Sequence, residues 1–184
     1  MPLLPDGTRY RPPLPRPEAG GPDPTDAAAA GLADICRRLD VPFLDLDLRA
    51  EFAAGVIAPF VTAYASGRTP NPCSLCNPRL KFGVLAGRAR DLGAGLLATG
   101  HYSRVAVSPE GVPRLFPAAD ATRDQSYFLA LVPPGDLARA AFPLADRKKA
   151  VQAAWLAGRG LVPPLPRESR EVCFIPDDEY RAFL

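Results

Sequence analysis

The sequence predicts an α/β fold, a parallel sheet flanked by helices. Three observations carry that prediction. Segments with apolar residues at helical spacing alternate with short strand-like segments through the first two-thirds of the chain, the pattern of an α/β layer. The run "GLLATGHY" (95–102) is apolar and then breaks at Thr99 and Gly100, as a short buried strand does on entering a loop. The 184 residues are 47% hydrophobic and 23% charged, ordinary globular values for a chain long enough to form a core.

Taken in order, residues 1–25 form a proline-rich irregular lead-in, because proline lacks the amide that a helix or inner strand uses. "DAAAAGLADICRRL" (26–39) predicts a helix with Asp26 near its N-cap. Apolar and acidic residues alternate over 43–48, predicting a strand with Asp45 and Asp47 on its polar face. A second helix over 49–66 carries Val56, Phe60, Val61 and Tyr64 on one stripe, with Pro59 as a candidate kink. After a stiff loop, "RTPNPCSLCNP", Asn77 suits an N-cap and Pro78 a first helical position. Phe82, Leu85, Ala89 and Leu92 then follow at helical spacing, giving a helix over 78–92 closed by Gly93. "SRVAV" and "PRLFPA" read as a hairpin, "SYFLALV" as a strand and 146–157 as a helix with Asp146 at its N-cap and Gly158 after its end. "REVCFIP" reads as extended. In such a sheet, ligands sit at the carboxyl ends of strands, here the loops after Leu48 and Ala98.

Charge and composition exclude several function classes. A net charge of +2 gives no global field for nucleic acid, so such a partner would use a local patch such as Arg79, Lys81, Arg88 and Arg90. No apolar run reaches a membrane span, and no secretory signal is recognisable. Four cysteines in a chain of this length point to reduced, cytoplasmic thiols with catalytic or metal-binding roles rather than to a disulfide scaffold.

Cys73 and Cys76 form a C-x-x-C pair. Placed just before the expected N-cap, Cys76 would have its thiolate favoured by free amides and the helix dipole, with Arg79 and Lys81 adding to the effect. Cys173 lies far along the chain in a polar-flanked extended stretch. Cys36 sits in an alanine- and leucine-rich helix and reads as a buried core thiol. On the residues alone the pair fits a reactive or redox sulfur site, a metal site drawing on Cys173, Cys36 or His101, or a structural loop.

Four stretches in order, "GRTPNPCSLCNPRLKFG", "LGAGLLATGHYSRV", "RDQSYFL" and "ESREVCFIPDDEYRAFL", resemble the tRNA-specific 2-thiouridylase (MnmA) family from about Asp26 onward. The resemblance implies a PP-loop, Rossmann-like α/β domain, incomplete at its N-terminus, with a small C-terminal extension. The implied division is a nucleotide-hydrolase-like domain over 26–132 and a helical linker with a second cysteine loop over 133–184. It implies ATP-dependent transfer of sulfur to the wobble uridine of tRNA, with a sulfur-donor protein or sulfide as a further partner and the cytoplasm as the setting. By motif, Cys173 would carry the persulfide and Cys76 would be the nucleophile that releases its sulfur, ending in a Cys76–Cys173 disulfide. Asn71, Pro72 and Cys73 would face the target base, Gly100 would contact ATP, and His101, Arg123, Asp124 and Gln125 would contact tRNA. Many members carry Asp at the position of Cys73. Others carry three cysteines holding a [4Fe–4S] cluster, for which Cys73, Cys76 and Cys173 would be the set. The family's S-G-G-x-D-S nucleotide loop is not found in the sequence, so a separate PP-loop-bearing segment is an expected partner. The alternatives are a non-catalytic metal- or cluster-binding module and a sulfurtransferase with another substrate.

Overall fold

The computed structural model describes residues 24–163, 172–175 and 179–184. Residues 1–23 of the proline-rich lead-in lie outside the described residues; of "REVCFIP", residues 172–175 are described and form a turn at 173–174 rather than an extended segment. The described residues fall into two compact units, one of residues up to Arg68 together with those from Gly160 onward, the other Thr69–Arg159. Helices with a small parallel sheet give the α/β class that the alternating pattern predicts.

The first unit opens with α1 (Pro24–Arg38), which starts two residues before Asp26, with Pro24 as its first residue. Residues 43–48 do not form a strand. A single bridge residue, Leu46, is assigned there, although the alternation is real and buries Leu46 and Leu48. Alternation sets which face is buried; a strand also needs a ladder partner. Asp47 instead accepts bonds from the Arg49 amide at 3.1 Å and from Arg49 Nε at 2.9 Å, at the start of the next helix.

That helix runs without interruption through α2 (Arg49–Phe52), a wide π-helical stretch (Ala53–Ile57) and α3 (Ala58–Ala65). The wide stretch precedes Pro59, whose ring would otherwise press on the carbonyl four residues back. Phe52, Val56 and Phe60 form the buried face. Phe60 meets Tyr64 at 5.0 Å and Phe174 at 5.1 Å, and Phe174 in turn meets Phe52 at 5.6 Å and Phe183 of α8 (Tyr180–Phe183) at 5.5 Å. These are mostly edge-on aromatic contacts at favourable separations.

The second unit begins with α4 (Pro72–Cys76), continued by a π-helical run (Asn77–Leu85) and α5 (Ala86–Asp91). The sequence offers two Asn-Pro pairs, and the helix uses the first. Asn71 is extended and caps, and Pro72 is the first helical residue. Asn77, expected as the cap, is helical and buried within the run. Pro78 therefore lies inside the helix and widens it, and Gly83 fills the widened turn: a Cβ there would stand 2.8 Å from the Pro78 carbonyl oxygen.

β1 (Leu97–Ala98) pairs in parallel with β4 (Ala140–Ala141), with Leu97 opposite Ala140. β2 (Ser103–Val107) and β3 (Pro113–Pro117) form the expected hairpin, with Ser103 opposite Pro117. "SYFLALV" is not a strand but a 3-10 turn, Ser126–Leu129, that buries Leu129. After α6 (Pro134–Leu137) and β4 comes α7 (Lys149–Ala157), with Gly158 at its end as expected. Asp146 does not cap α7; it pairs with Arg104. The Lys149 amide donates instead to Asp120 Oδ2, 29 residues earlier, at 2.9 Å, and this bond leads the causes that hold the Asp120 carboxyl below its usual range. The core of this unit is Phe82, Leu129, Val132, Leu137, Ala140 and Phe142, with Leu97, Val105 and Leu115 packed on it. No helix among the described residues is long and apolar enough to cross a membrane.

Candidate sulfur site on a capped cysteine helix

Asn71 Oδ1 accepts from the amides of Cys73 at 3.1 Å and Ser74 at 3.3 Å, and the Ser74 hydroxyl donates back to the Asn71 carbonyl at 2.8 Å. The cap holds the N-P-C stretch in one conformation and uses two amides that could otherwise face a thiolate. This corrects the placement of the cysteines. Cys73, not Cys76, is at the helix start, and Cys76 lies one turn further along the same face. Both thiols are half-buried. Burial raises the Cys73 pKa, and the charge of Lys81 works against that rise.

Asn77 fastens a second element to this helix. Its side-chain nitrogen donates to the Phe128 carbonyl at 3.0 Å, while its Oδ1 is buried with no hydrogen-bond partner among the described residues. The bond holds the Ser126–Leu129 turn on the cysteine helix. Tyr127 is 57% exposed there, its ring 3.9 Å from that of Phe128. Its hydroxyl is pushed to higher pKa by desolvation first, then by Cys73 and Asp124. Asp124 accepts from the Ala118 amide at 3.0 Å and the Ser126 hydroxyl at 2.6 Å. Gln125 exchanges bonds with Tyr102: its Oε1 accepts from the Tyr102 amide at 3.0 Å, and its amide donates to the Tyr102 carbonyl at 2.8 Å. Asp124 and Gln125 therefore brace the loop that carries Arg123 and Tyr127.

The loop after β1 approaches the same helix. Gly100 is exposed, has no positive φ, and a Cβ added there would meet nothing within 4 Å. Neither strain nor crowding requires glycine at that position, and the space beside it is open. His101 is buried against Phe82 and Phe142, with Thr99 Oγ1 2.8 Å from Nδ1 and Lys81 Nζ 3.5 Å from Nε2. Desolvation first and Lys81 second lower its pKa to about 4, so the ring is neutral at physiological pH. The sequence reading set Lys81 beside Cys76, took Asn77 as a cap and Thr99 as the end of a strand, and gave Tyr127 no role; no spacing signal marks contacts between a helix and loops this far apart.

Cys173 lies in the other unit. It is exposed on a short turn whose next two residues, Phe174 and Ile175, are buried. Cys36 is half-buried in α1 rather than a buried core thiol. Among the described residues, no three or more His, Cys, Asp or Glu side chains come together as a metal site. Of the three cysteines expected to hold an iron–sulfur cluster, Cys73 and Cys76 lie in one unit and Cys173 in the other.

A small parallel pair that opens into a glycine-containing loop, beside a capped helix with two thiols, makes this unit an α/β domain. The chain belongs to the family described as the tRNA methyl transferase HUP domain, whose model matches residues 18–177. It is 48% identical over 176 residues to the tRNA-specific 2-thiouridylase MnmA of Nitratidesulfovibrio vulgaris (strain DSM 19637 / Miyazaki F), covering 96% of this chain and 49% of that protein. It is 49% identical over 166 residues to the same-named protein of Oleidesulfovibrio alaskensis, covering 89% and 47%. The match to that of Acidithiobacillus ferrooxidans (strain ATCC 53993 / BNL-5-31) is 43% over 152 residues, covering 83% and 43%. The chain spans about half the length of the curated relatives it matches.

Proposed function

We propose that the chain is the central portion of a cytoplasmic tRNA-uridine 2-sulfurtransferase that acts on the wobble uridine. The likeness to proteins named tRNA-specific 2-thiouridylase, extending over 96% of the chain, carries this reading. ATP adenylates the C2 oxygen of the base and releases pyrophosphate. The terminal sulfur of a Cys173 persulfide attacks C2, and AMP leaves. The Cys76 thiolate then attacks Cys173 Sγ and breaks the S–S bond, leaving the sulfur on the base and a Cys76–Cys173 disulfide for an external thiol to reduce.

The capped Asn71-Pro72-Cys73 stretch supplies a stiff edge for a splayed, unpaired base, at low entropy cost because the cap already fixes it. In this reading the open space beside Gly100 receives the nucleotide, and Arg123, on the loop braced by Asp124 and Gln125, meets the tRNA. The buried His101 acts on tRNA only indirectly.

The test is a chimera in which this chain replaces the matching half of a full-length relative, assayed with ATP, a sulfide or persulfide donor and tRNA lacking the modification. 2-Thiouridine is read by mass spectrometry of digested tRNA. Activity is expected, lost in Cys76→Ser and Cys173→Ser and kept in Cys36→Ser. An active Cys173→Ser chimera would refute the persulfide assignment. An inert chimera that binds iron with labile sulfide through Cys73, Cys76 and Cys173 would favour the cluster-binding module instead.

A further inference from the structure

We propose that Tyr127 is a platform on which an unpaired RNA base stacks beside the cysteine helix. The Ser126–Leu129 turn packs on α4 and on the π-helical run that follows it, and the Asn77 side chain fastens the two by its 3.0 Å bond to the Phe128 carbonyl. On its N-terminal side the turn is held by Asp124, which accepts from the Ser126 hydroxyl at 2.6 Å, and by Gln125 through its two bonds to Tyr102. On this braced turn Leu129 is fully buried, whereas Tyr127 is 57% exposed with its ring against Phe128, centroids 3.9 Å apart. A lone exposed aromatic is ordinary on a protein surface. A ring backed by another ring, on an element tied down at both ends, differs because it has little side-chain freedom left to lose on binding. Trp155 of α7 is also exposed, but the Arg159 guanidinium already stacks on it at 3.7 Å, and Phe116 stands on the hairpin. Charge selects the partner. Thr69–Arg159 carries 12 Lys and Arg against 6 Asp and Glu, whereas the whole chain is only +2. The basic excess is therefore concentrated in the unit that holds Tyr127, and it includes Arg123 on the same loop and Arg79 and Lys81 on the packed run. Unpaired RNA answers both features, its phosphates to the cations and a free base face to the ring. A base inside a duplex is already stacked on both faces and has none to offer.

The choice of RNA over DNA rests on the proposed function; the test needs neither ATP nor a sulfur donor. The whole chain is titrated with an RNA hairpin labelled by a dye at the stem end, and affinity is read from anisotropy. A second hairpin carries 5-iodouridine at the wobble position of its loop, and peptide mass spectrometry maps the side chain to which it photocrosslinks. Tyr127→Ala is expected to weaken hairpin binding about five- to a hundredfold, the range for losing one stacked base. Tyr127→Phe and Tyr127→Trp should keep the affinity, and Tyr127→Leu, of similar apolar bulk but without a π-face, should behave like Tyr127→Ala. The crosslink should fall on Tyr127. A fully paired duplex of the same sequence should bind all variants alike. Hairpin affinities of wild type and Tyr127→Ala within about twofold of each other would overturn the proposal. So would a Tyr127→Leu variant that binds like wild type, an equal loss for the duplex, or a crosslink confined to another side chain. A chimera that makes 2-thiouridine equally fast with Tyr127→Ala at limiting tRNA would refute the stacking and leave sulfur transfer standing. An inert chimera beside a Tyr127-dependent hairpin affinity would do the reverse.

Discussion

Cys173 is exposed, but the turn that carries it is anchored by the next side chain. Phe174 is 6% exposed and meets the rings of Phe52, Phe60 and Phe183 at 5.6, 5.1 and 5.5 Å. Phe174→Ala removes the ring from this cluster. Truncation of a buried phenylalanine costs about 3–5 kcal/mol through lost transfer energy and the cavity left behind. The lower end, about 3 kcal/mol, applies here because the ring is carried on a short turn that can settle inward. Phe174→Leu keeps most of the volume and should cost about 1–2 kcal/mol. Urea denaturation gives the stability change. Hydrogen exchange of peptides spanning 49–65 gives its location, and Cys173 alkylation reports whether the turn has been released. The reasoning is refuted if Phe174→Ala costs less than about 1 kcal/mol, below the range for ring truncation, and Cys173 reacts as in wild type. The ring would then not be what holds the cysteine in place.

Asn71→Ala should lower stability by about 1 kcal/mol by freeing the Cys73 and Ser74 amides, whereas Asn71→Asp should keep the cap; denaturant midpoints distinguish the two. Gly83→Ala should cost about 1–3 kcal/mol, because its methyl meets a backbone oxygen at 2.8 Å rather than a side chain able to move, and a neutral result would mean that the wide turn can relax. His101 is held near pKa 4 in the fold against an ordinary value of 6.5. Its neutral form is the one the fold accommodates, so its contribution is complete above pH 6.5 and is lost as pH falls toward 4, amounting to about 2 kcal/mol at pH 5. Stability measured from pH 7 to pH 5 should therefore fall less in His101→Phe than in wild type, and equal slopes would contradict the assignment.

Elements whose signal is local were legible in the sequence. The β2–β3 hairpin, the short strand before Gly100 and the end of α7 at Gly158 each depend on a few neighbouring residues, and each is where the pattern put it. The errors arose where a distant partner decided the outcome. Two Asn-Pro pairs carry the same local signal, and Asn77 is drawn into the helix because its amide can reach Phe128, 51 residues away. Asp146 has the chemistry of a cap, but Asp120 occupies that role from across the fold. Residues 126–132 are as apolar as a strand, yet the chain turns at Ser126–Leu129, where Leu129 enters the core and Tyr127 stays outside. The cysteine pair was readable because its C-x-x-C spacing is local, although the predicted register left both thiols in the loop before the helix rather than on its face. Which of the two stands at the helix start depended on the cap alone.

The wide run between Asn77 and Leu85 also sets angular phase along its helix. Passing from i+4 to i+5 bonding is geometrically like threading one additional residue into an α-helix, which turns everything downstream by about 100° about the axis. The cysteine end and the Arg88–Arg90 end are therefore clocked independently of the count of residues between them. A regular helix of the same sequence would present Phe82 and Lys81 at a different angle from Cys73 and Cys76. Pro78 and Gly83 together behave as a gear tooth: one forces the slip and the other leaves room for it.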